Sequence, residues 1–163
     1  MTAGETTILV DTGKPQRPEL SQTAHAGCLS FEISAGRSRL IVNAGMPATF
    51  ETIKLAKEFD RIGVTAIAVI TPFFIACTQD GLIRHFSTVA DSVKTPTYLY
   101  DIPARTQNHI EPETARKLAA HGNIAGIKDS GGAKETLEAY LAVSRDMPGF
   151  DVYSGPDHLV LWA

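Results

Sequence analysis

From residue 39 onwards, short apolar runs alternate with longer segments in which apolar residues recur at helical spacing. Residues 40–44 form the first such run, and a helical pattern follows over residues 50–62, where Gly63 is expected to end the helix. Further helices are predicted at 80–93, 111–121 and 133–145, and further strands at 64–70, 97–101, 124–128 and 150–154. This alternation is typical of an α/β fold with a parallel sheet or barrel.

The residues before 39 carry a weaker pattern. Residues 12–18 are rich in Gly, Pro, Lys and Arg and indicate an exposed turn. Residues 20–33 have apolar positions at loosely helical spacing, interrupted by Gly27, and predict a helix. We therefore divide the chain into an N-terminal segment of loop and helix, residues 1–38, and a β/α domain, residues 39–163.

Two of the predicted strands end in reactive side chains. Period-two alternation places Tyr98 and Tyr100 on one face of their strand, and Ile124, Gly126 and Lys128 on one face of the next. If those faces point the same way, a phenol and an amine meet at the C-terminal ends of the strands. Ligands bind at this end of parallel α/β folds.

A lysine at the end of an apolar strand suggests imine chemistry. Burial disfavours the charged amine and is expected to lower the pKa of Lys128, which would make it a nucleophile towards a carbonyl carbon. Alternatively, Lys128 points into water, as most lysines do, and Tyr100 is an ordinary core aromatic residue. The pairing of the two, with Arg105 close by in the sequence, favours a catalytic site.

Composition narrows the function classes. A chain of 163 residues with a net charge of −3 fits one globular domain and lacks the basic surface that nucleic-acid binding needs. Its two cysteines have no metal-ligand or CxxC spacing, which suggests no metal site and a reducing, cytoplasmic location. Residues 64–75 are the most apolar stretch, but they include Pro72 and are too short to span a bilayer, so no membrane association is expected.

Two longer motifs resemble a known family. Residues 99–106, Leu-Tyr-Asp-Ile-Pro-Ala-Arg-Thr, and residues 126–132, Gly-Ile-Lys-Asp-Ser-Gly-Gly, are similar to two signatures of the dihydrodipicolinate synthase / N-acetylneuraminate lyase family. Members are TIM barrels that condense or cleave pyruvate-containing compounds through a lysine Schiff base. The resemblance implies that residues 39–163 form a partial (β/α)₈ barrel with about five parallel strands, which correspond to family strands three to seven.

The resemblance also implies roles for individual residues. Lys128 would be the nucleophile that forms the imine, and Tyr100 the acid/base group that moves protons. Arg105 would bind a substrate carboxylate, although it could instead form a surface ion pair with Glu111. Gly155 matches the family loop after strand seven, close to pyruvate, and could equally belong to an ordinary turn.

The N-terminal residues resemble part of a substrate loop. Thr2 and Ala3, followed by Gly4 and Glu5, are similar to the end of the family's Gly-Thr-Thr-Gly-Glu loop, which holds the pyruvate carboxylate. Thr2 would keep one of the two hydroxyls, whereas Ala3 has lost the other. The alternative interpretation is a disordered start of the chain.

Two further positions qualify the resemblance. Residues 71–74, Thr-Pro-Phe-Phe, match a family motif that usually ends in tyrosines, so Phe74 lacks the hydroxyl that completes a proton relay in dihydrodipicolinate synthases. This leaves room for an aldolase of 2-keto-3-deoxy sugar acids or of 4-hydroxy-2-oxoglutarate. His85 also matches the family, but its place on a helix face favours packing over catalysis.

The resemblance therefore implies a class I, pyruvate-dependent carbon–carbon lyase. Its partners would be pyruvate or a related 2-keto acid, it would need no cofactor beyond the covalent lysine imine, and it would form a homo-oligomer if folded. Family strands one, two and eight have no counterpart here, which argues against activity of this chain. The alternative from another class is a non-catalytic, truncated fragment whose sheet edges cause it to aggregate, pair with another chain or fail to fold.

Overall fold

The computed structural model describes residues 31–35 and 37–159. Within these ranges six strands form one sheet, in the spatial order β1-β2-β3-β4-β5-β6. The first two strands are antiparallel, and β2 to β6 are parallel to one another, which confirms the five parallel strands predicted. The strands are β1 Phe31–Ala35, β2 Arg37–Asn43, β3 Ala66–Ile70, β4 Thr97–Asp101, β5 Ile124–Asp129 and β6 Asp151–Ser154.

Helices connect the parallel strands, as the βα rhythm requires. Gly63 ends α1 in the left-handed conformation at φ 83°, and the Thr78 side chain caps α2 by accepting from the Gly81 N–H at 3.1 Å. No helix in the described part of the chain is long and apolar enough to cross a bilayer. The helices are α1 Thr49–Ile62, α2 Gln79–Asp91, α3 Pro103–Thr106, α4 Pro112–Ala119 and α5 Lys134–Asp146, with a 3₁₀ turn at Asp157–Leu159.

The structure corrects the helix predicted over residues 20–33. Phe31–Ala35 is a strand, paired with β2 in the register Phe31↔Ile41, so the prediction is wrong at residues 31–33. Apolar and polar residues also alternate with period two in this stretch, and pairing with β2 satisfies its backbone, which a frayed helix end would not. Residues 20–30 lie outside the described residues, and the division between residues 38 and 39 stays a prediction.

The hydrophobic core lies between the sheet and the helices. Ile67, Val69 and Leu99 are fully buried on the helix-facing side of the sheet, where Phe86 and Leu118 pack against them from α2 and α4. Each such side chain contributes roughly 1.5–3 kcal/mol through its burial. The opposite face, which we call the inner face, carries Tyr98, Tyr100, Gly126 and Lys128, where the register pairs are Tyr98↔Gly126 and Tyr100↔Lys128.

A β-bulge in β5 changes which residues share that inner face. Thr97 pairs with Ile124, but Tyr98 pairs with Gly126, so Ala125 is an extra residue. Ile124 therefore joins Ile127 in the hydrophobic core. The prediction that Ile124 shares a face with Gly126 and Lys128 is wrong, because strict alternation does not hold across a bulge.

Candidate active site

Lys128 lies at the C-terminal end of the inner face, between two tyrosines. Tyr100 pairs with Lys128 in the β4–β5 register, and Tyr153 pairs with it in the β5–β6 register. Tyr100 is buried at 5% exposure, Lys128 is half-buried, and Tyr153 is 44% exposed. The amine therefore has a buried phenol on one side and a more open one on the other.

Lys128 and Tyr100 are in direct contact, as predicted. The Lys128 Nζ lies 3.5 Å from the Tyr100 hydroxyl and 4.5 Å from the centre of its ring. The first distance is long for a hydrogen bond, whereas the second is within the range of a cation–π contact. Catalytic hydrogen bonds are often long before substrate binds. The arrangement can thus support proton exchange between the phenol and any group bound to the amine.

Glycine at position 126 allows a second phenol to cross β5 beneath Lys128. A Cβ there would lie 2.7 Å from the Tyr98 ring and 2.4 Å from the Asp151 carbonyl oxygen. The Tyr98 hydroxyl donates to the Asp151 carboxylate at 2.8 Å, and its ring centre is 5.7 Å from that of Tyr153. Burial and then the Asp151 contact raise the pKa of Tyr98, so this phenol stays protonated.

Arg105 belongs to the short helix α3, which follows β4 directly. Pro103 begins this helix, and Arg105 is exposed on it. Among the carboxylates of residues 31–35 and 37–159, none forms an ion pair with Arg105, so the alternative pairing with Glu111 is not observed. Tyr100, and not Arg105, is the predicted site residue seen in contact with Lys128, and Arg105 is exposed.

Gly155 connects the loop after β6 to the end of β5 through a backbone hydrogen bond. Its N–H donates to the Asp129 carbonyl at 2.7 Å, and a Cβ at this position would lie 2.1 Å from the Ser130 hydroxyl. No larger residue fits without movement of the loop that follows Lys128. Thr2 and Ala3, the other two residues predicted to bind substrate, lie outside the described residues, so their role stays a prediction.

The loop after β3, residues 71–78, carries the aromatic pair of the Thr-Pro-Phe-Phe motif. Phe74 is 87% exposed, and its φ of 69° is unusual for a bulky residue. Asn108 holds this loop by donating to the carbonyls of Pro72 at 2.7 Å and Ile75 at 2.8 Å, and by accepting from the Cys77 N–H at 2.8 Å. The sequence patterns do not predict these hydrogen bonds of Asn108.

His85 packs between helices. It is buried, and its Nδ1 is 2.9 Å from the Thr49 hydroxyl of α1. Burial lowers the pKa of His85 to about 4. The imidazole is therefore neutral near pH 7, in line with a packing role.

Sequence reasoning missed two buried carboxyl groups next to the site. Asp101 directly follows Tyr100, Asp129 directly follows Lys128, and both are fully buried on the helix-facing side. The one available signal was an acidic residue at the end of an apolar strand, which ordinarily marks a loop. Here both are buried, and Tyr140 of α5 contacts Asp101 while the Gly131 N–H of the loop after β5 contacts Asp129.

The chain is similar in sequence to known proteins of one family. The model of the dihydrodipicolinate synthetase family matches residues 11–163. A 4-hydroxy-tetrahydrodipicolinate synthase from Listeria monocytogenes serotype 4a is 40% identical over 132 residues, which is 80% of this chain and 44% of that protein. The chain thus spans less than half the length of this curated relative.

Solved structures agree with this relationship. A dihydrodipicolinate synthase from Thermotoga maritima superposes with a TM-score of 0.74 at 28% identity, over 77% of this chain and 43% of that one. A prophage protein of the same family from E. coli K12, in complex with pyruvate, gives a TM-score of 0.71 at 33% identity, over 74% of this chain and 41% of that one. These matches confirm the resemblance and the partial TIM-barrel fold. The chain belongs to the dihydrodipicolinate synthetase family.

Proposed function

We propose that this chain forms the lysine site of a class I, pyruvate-dependent carbon–carbon lyase. The observation that carries the proposal is the contact between Lys128 and Tyr100 at the C-terminal ends of adjacent parallel strands, 3.5 Å from amine to hydroxyl. The complex of the related E. coli prophage protein with pyruvate supports pyruvate, or a related 2-keto acid, as the substrate.

The proposed reaction begins at the lysine amine. The Lys128 Nζ attacks the ketone carbon, and loss of water from the resulting carbinolamine leaves an imine, which draws electrons from the neighbouring carbon. Tyr100 supplies and removes the protons of these steps. The enamine carbon then adds to an aldehyde, or the reverse reaction cleaves a hydroxy-keto acid. Because the imine is the electron sink, this proposal requires no metal or organic cofactor.

Substrate binding would involve residues around the amine. Arg105 can present its planar guanidinium to a carboxylate of the second substrate, because it is exposed and no described carboxylate occupies it. Gly155 keeps the loop after β6 close to β5, and Thr2 with Ala3 would complete the pyruvate side. A homo-oligomer is part of the same proposal and is supported by exposed apolar side chains such as Phe74 and Ile75. The proposal also includes a location in the cytoplasm.

The residue at position 74 supports a second candidate reaction. Phe74 has no hydroxyl, so it cannot take part in the relay attributed to a tyrosine at that position of the motif. An aldolase of 2-keto-3-deoxy sugar acids or of 4-hydroxy-2-oxoglutarate is therefore the alternative to 4-hydroxy-tetrahydrodipicolinate synthesis. Both reactions share the same lysine imine and differ in the aldehyde accepted.

Intact mass after incubation with pyruvate and borohydride tests the proposal. The unmodified chain should gain the mass of pyruvate less one water plus two hydrogens. Lys128→Ala should gain nothing, and Lys117→Ala, which changes an exposed lysine of α4, should behave as the unmodified chain. No adduct on a folded sample would instead support the non-catalytic fragment. Screening aldehydes against an adduct-forming sample then separates the two candidate reactions.

A further inference from the structure

Two buried carboxyl groups lie directly behind the proposed catalytic pair. Asp101 and Asp129 are register partners at the ends of β4 and β5, one residue after Tyr100 and Lys128. Because side chains alternate along a strand, the carboxyls lie on the helix-facing side while the phenol and the amine lie on the inner face. Neither aspartate has exposed surface. Two adjacent buried carboxylates would repel one another strongly.

The hydrogen bonds of Asp101 fit an ionised carboxylate, because the three groups around it can all donate. Its Oδ1 accepts from the Ile110 N–H at 3.1 Å, and its Oδ2 lies 2.8 Å from the His109 Nδ1 and 3.1 Å from the Tyr140 hydroxyl. The same hydroxyl also contacts the Ile110 carbonyl oxygen. A phenol has a single hydrogen and here faces two acceptors. The two acceptors can share that hydrogen, so Asp101 needs no proton of its own.

Asp129, unlike Asp101, is short of hydrogen-bond donors. Its Oδ1 accepts from the Gly131 N–H at 2.8 Å, whereas its Oδ2 is buried and has no hydrogen-bond partner among the described residues. A buried, unpaired carboxylate oxygen is costly, and a protonated carboxyl avoids most of that cost. Burial, and to a smaller extent the charge of Asp101, raise the pKa of Asp129.

The groups that face this pair favour one proton in total, carried by Asp129. His109 reaches solvent with 39% of its side chain exposed, and the hydrogen bond to Asp101 raises its pKa. Tyr140, from α5, has its pKa raised by burial and by Asp101, so it stays neutral. Glu111 lies further out and favours the charged form of His109. The negative charge of Asp101 and the positive charge of the His109 imidazolium then balance, and the Asp129 carboxyl is neutral.

The pair is connected to the strand ends that carry the proposed catalytic residues. The Ser130 N–H donates to the Asp101 carbonyl at 2.8 Å, which joins the end of β4 to the residue after β5. The Gly155 N–H makes the equivalent bond to Asp129 at 2.7 Å. Repulsion between two ionised carboxyls would act on these same strand ends, and so on the distance between Tyr100 and Lys128.

We propose that Asp129 carries a proton next to the ionised Asp101, and that the two are positioning residues, which keep Tyr100 against Lys128 as long as that proton is present. The catalytic consequence rests on the proposed lyase function, whereas the protonation of Asp129 and the strand-end geometry do not.

The first test follows the His109 ring by NMR as pH is raised, without any substrate. In Asp129→Asn, an amide replaces a carboxyl that is already neutral, so the midpoint of the His109 titration should move by less than about 0.3 units. Asp101→Asn removes the charged partner and should lower the midpoint by about 1 unit or more. A fall of about 1 unit in Asp129→Asn would mean that Asp129 is ionised and would overturn the proposal.

The second test measures the positioning itself. The nuclear Overhauser contact between the Tyr100 ring and the Lys128 ε-methylene should weaken in the unmodified chain as rising pH ionises Asp129, and should persist in Asp129→Asn. Asp80→Asn, which changes an exposed carboxyl at the start of α2, serves as the matched control and should follow the unmodified chain. An equal loss of the contact in all three proteins would overturn the positioning role.

Borohydride trapping with pyruvate extends the test to the reaction. The trapping rate of Asp129→Asn relative to the unmodified chain should rise at least about threefold from pH 6 to pH 9, because only the unmodified pair can lose its proton. A constant ratio is what a purely structural role gives, and it would contradict the proposal. If no protein forms an adduct, the lyase proposal fails, and the NMR measurements still decide the protonation of Asp129 and the positioning.

Discussion

The amine of Lys128 lies over the ring of Tyr100, 4.5 Å from its centre and 3.5 Å from its hydroxyl. The ring and the hydroxyl can therefore be tested separately, because phenylalanine keeps the first contact and removes the second. The register of β4 and β5 fixes the pair, since the two residues are direct partners.

Tyr100→Phe should slow formation of the pyruvate adduct by roughly 10²–10⁴-fold, the usual contribution of a positioned acid/base group. Its thermal stability should change little, because the ring stays in place under the amine. The measurement is the rate of borohydride trapping. Tyr153→Phe removes the more exposed hydroxyl on the other side of Lys128 and provides the control. Equal rates for the two variants would argue against a role for the Tyr100 hydroxyl.

Gly126→Ala should destabilise the fold by roughly 1–3 kcal/mol or more, because overpacking forces neighbours to move. The new methyl group would meet the Asp151 carbonyl oxygen at 2.4 Å and the Tyr98 ring at 2.7 Å. Urea denaturation gives the free energy of unfolding. Gly122→Ala is the matched control, since a Cβ at Gly122 meets no atom within 4 Å. Similar losses in both variants would rule out the close approach of Tyr98 as the cause.

His85 should make the fold less stable in acid. Its pKa is about 4 in the folded chain and about 6.5 when unfolded, so the unfolded chain binds a proton first as pH falls. The contribution of the neutral His85 to the free energy of unfolding is fully present above pH 6.5. It is lost between about pH 6.5 and pH 4, and the loss amounts to a few kcal/mol.

The corresponding experiment compares the unmodified chain with His85→Asn by urea denaturation at pH 7 and pH 4.5. His85→Asn should lose less stability over this range, because it has no imidazole to protonate. His158→Asn changes an exposed histidine of the 3₁₀ turn and should follow the unmodified chain. Equal losses of stability in all three proteins would show that folding does not lower the pKa of His85.

Asn108→Ala should release the loop after β3. The variant loses the bonds to Pro72, Ile75 and Cys77 and leaves those backbone groups without their partner, at a cost of roughly 1–3 kcal/mol. Limited proteolysis should cut within residues 73–77 faster than in the unmodified chain or in Lys117→Ala. An unchanged cleavage rate would mean that the loop is held by other contacts.

Much of the fold was predictable because local patterns and tertiary packing agree. The helix that ends at Gly63 and the helix that begins at Pro112 carry their own stop and start signals. The parallel strands are apolar runs between helices. The meeting of Tyr100 with Lys128 followed from alternation within each strand and the parallel direction of the two.

The errors arose where a neighbouring segment overrides a local pattern. Residues 31–33 fit both a helical and a strand period, and the pairing with β2 decides between them. The bulge at Ala125 is a property of two strands in register and leaves no mark on the spacing of one. The burial of Asp101 involves His109 and Tyr140, and Tyr140 lies 39 residues away along the chain.

The antiparallel strand β1 determines where the sheet could grow. Its backbone occupies the hydrogen-bonding side of β2 that faces away from β3. A further parallel strand would have to displace β1 in order to pair with β2, whereas the outer side of β6 has no neighbouring strand among the described residues. A second polypeptide that completed a closed barrel around this sheet would therefore meet two unlike docking problems: simple addition at β6 and strand exchange at β2.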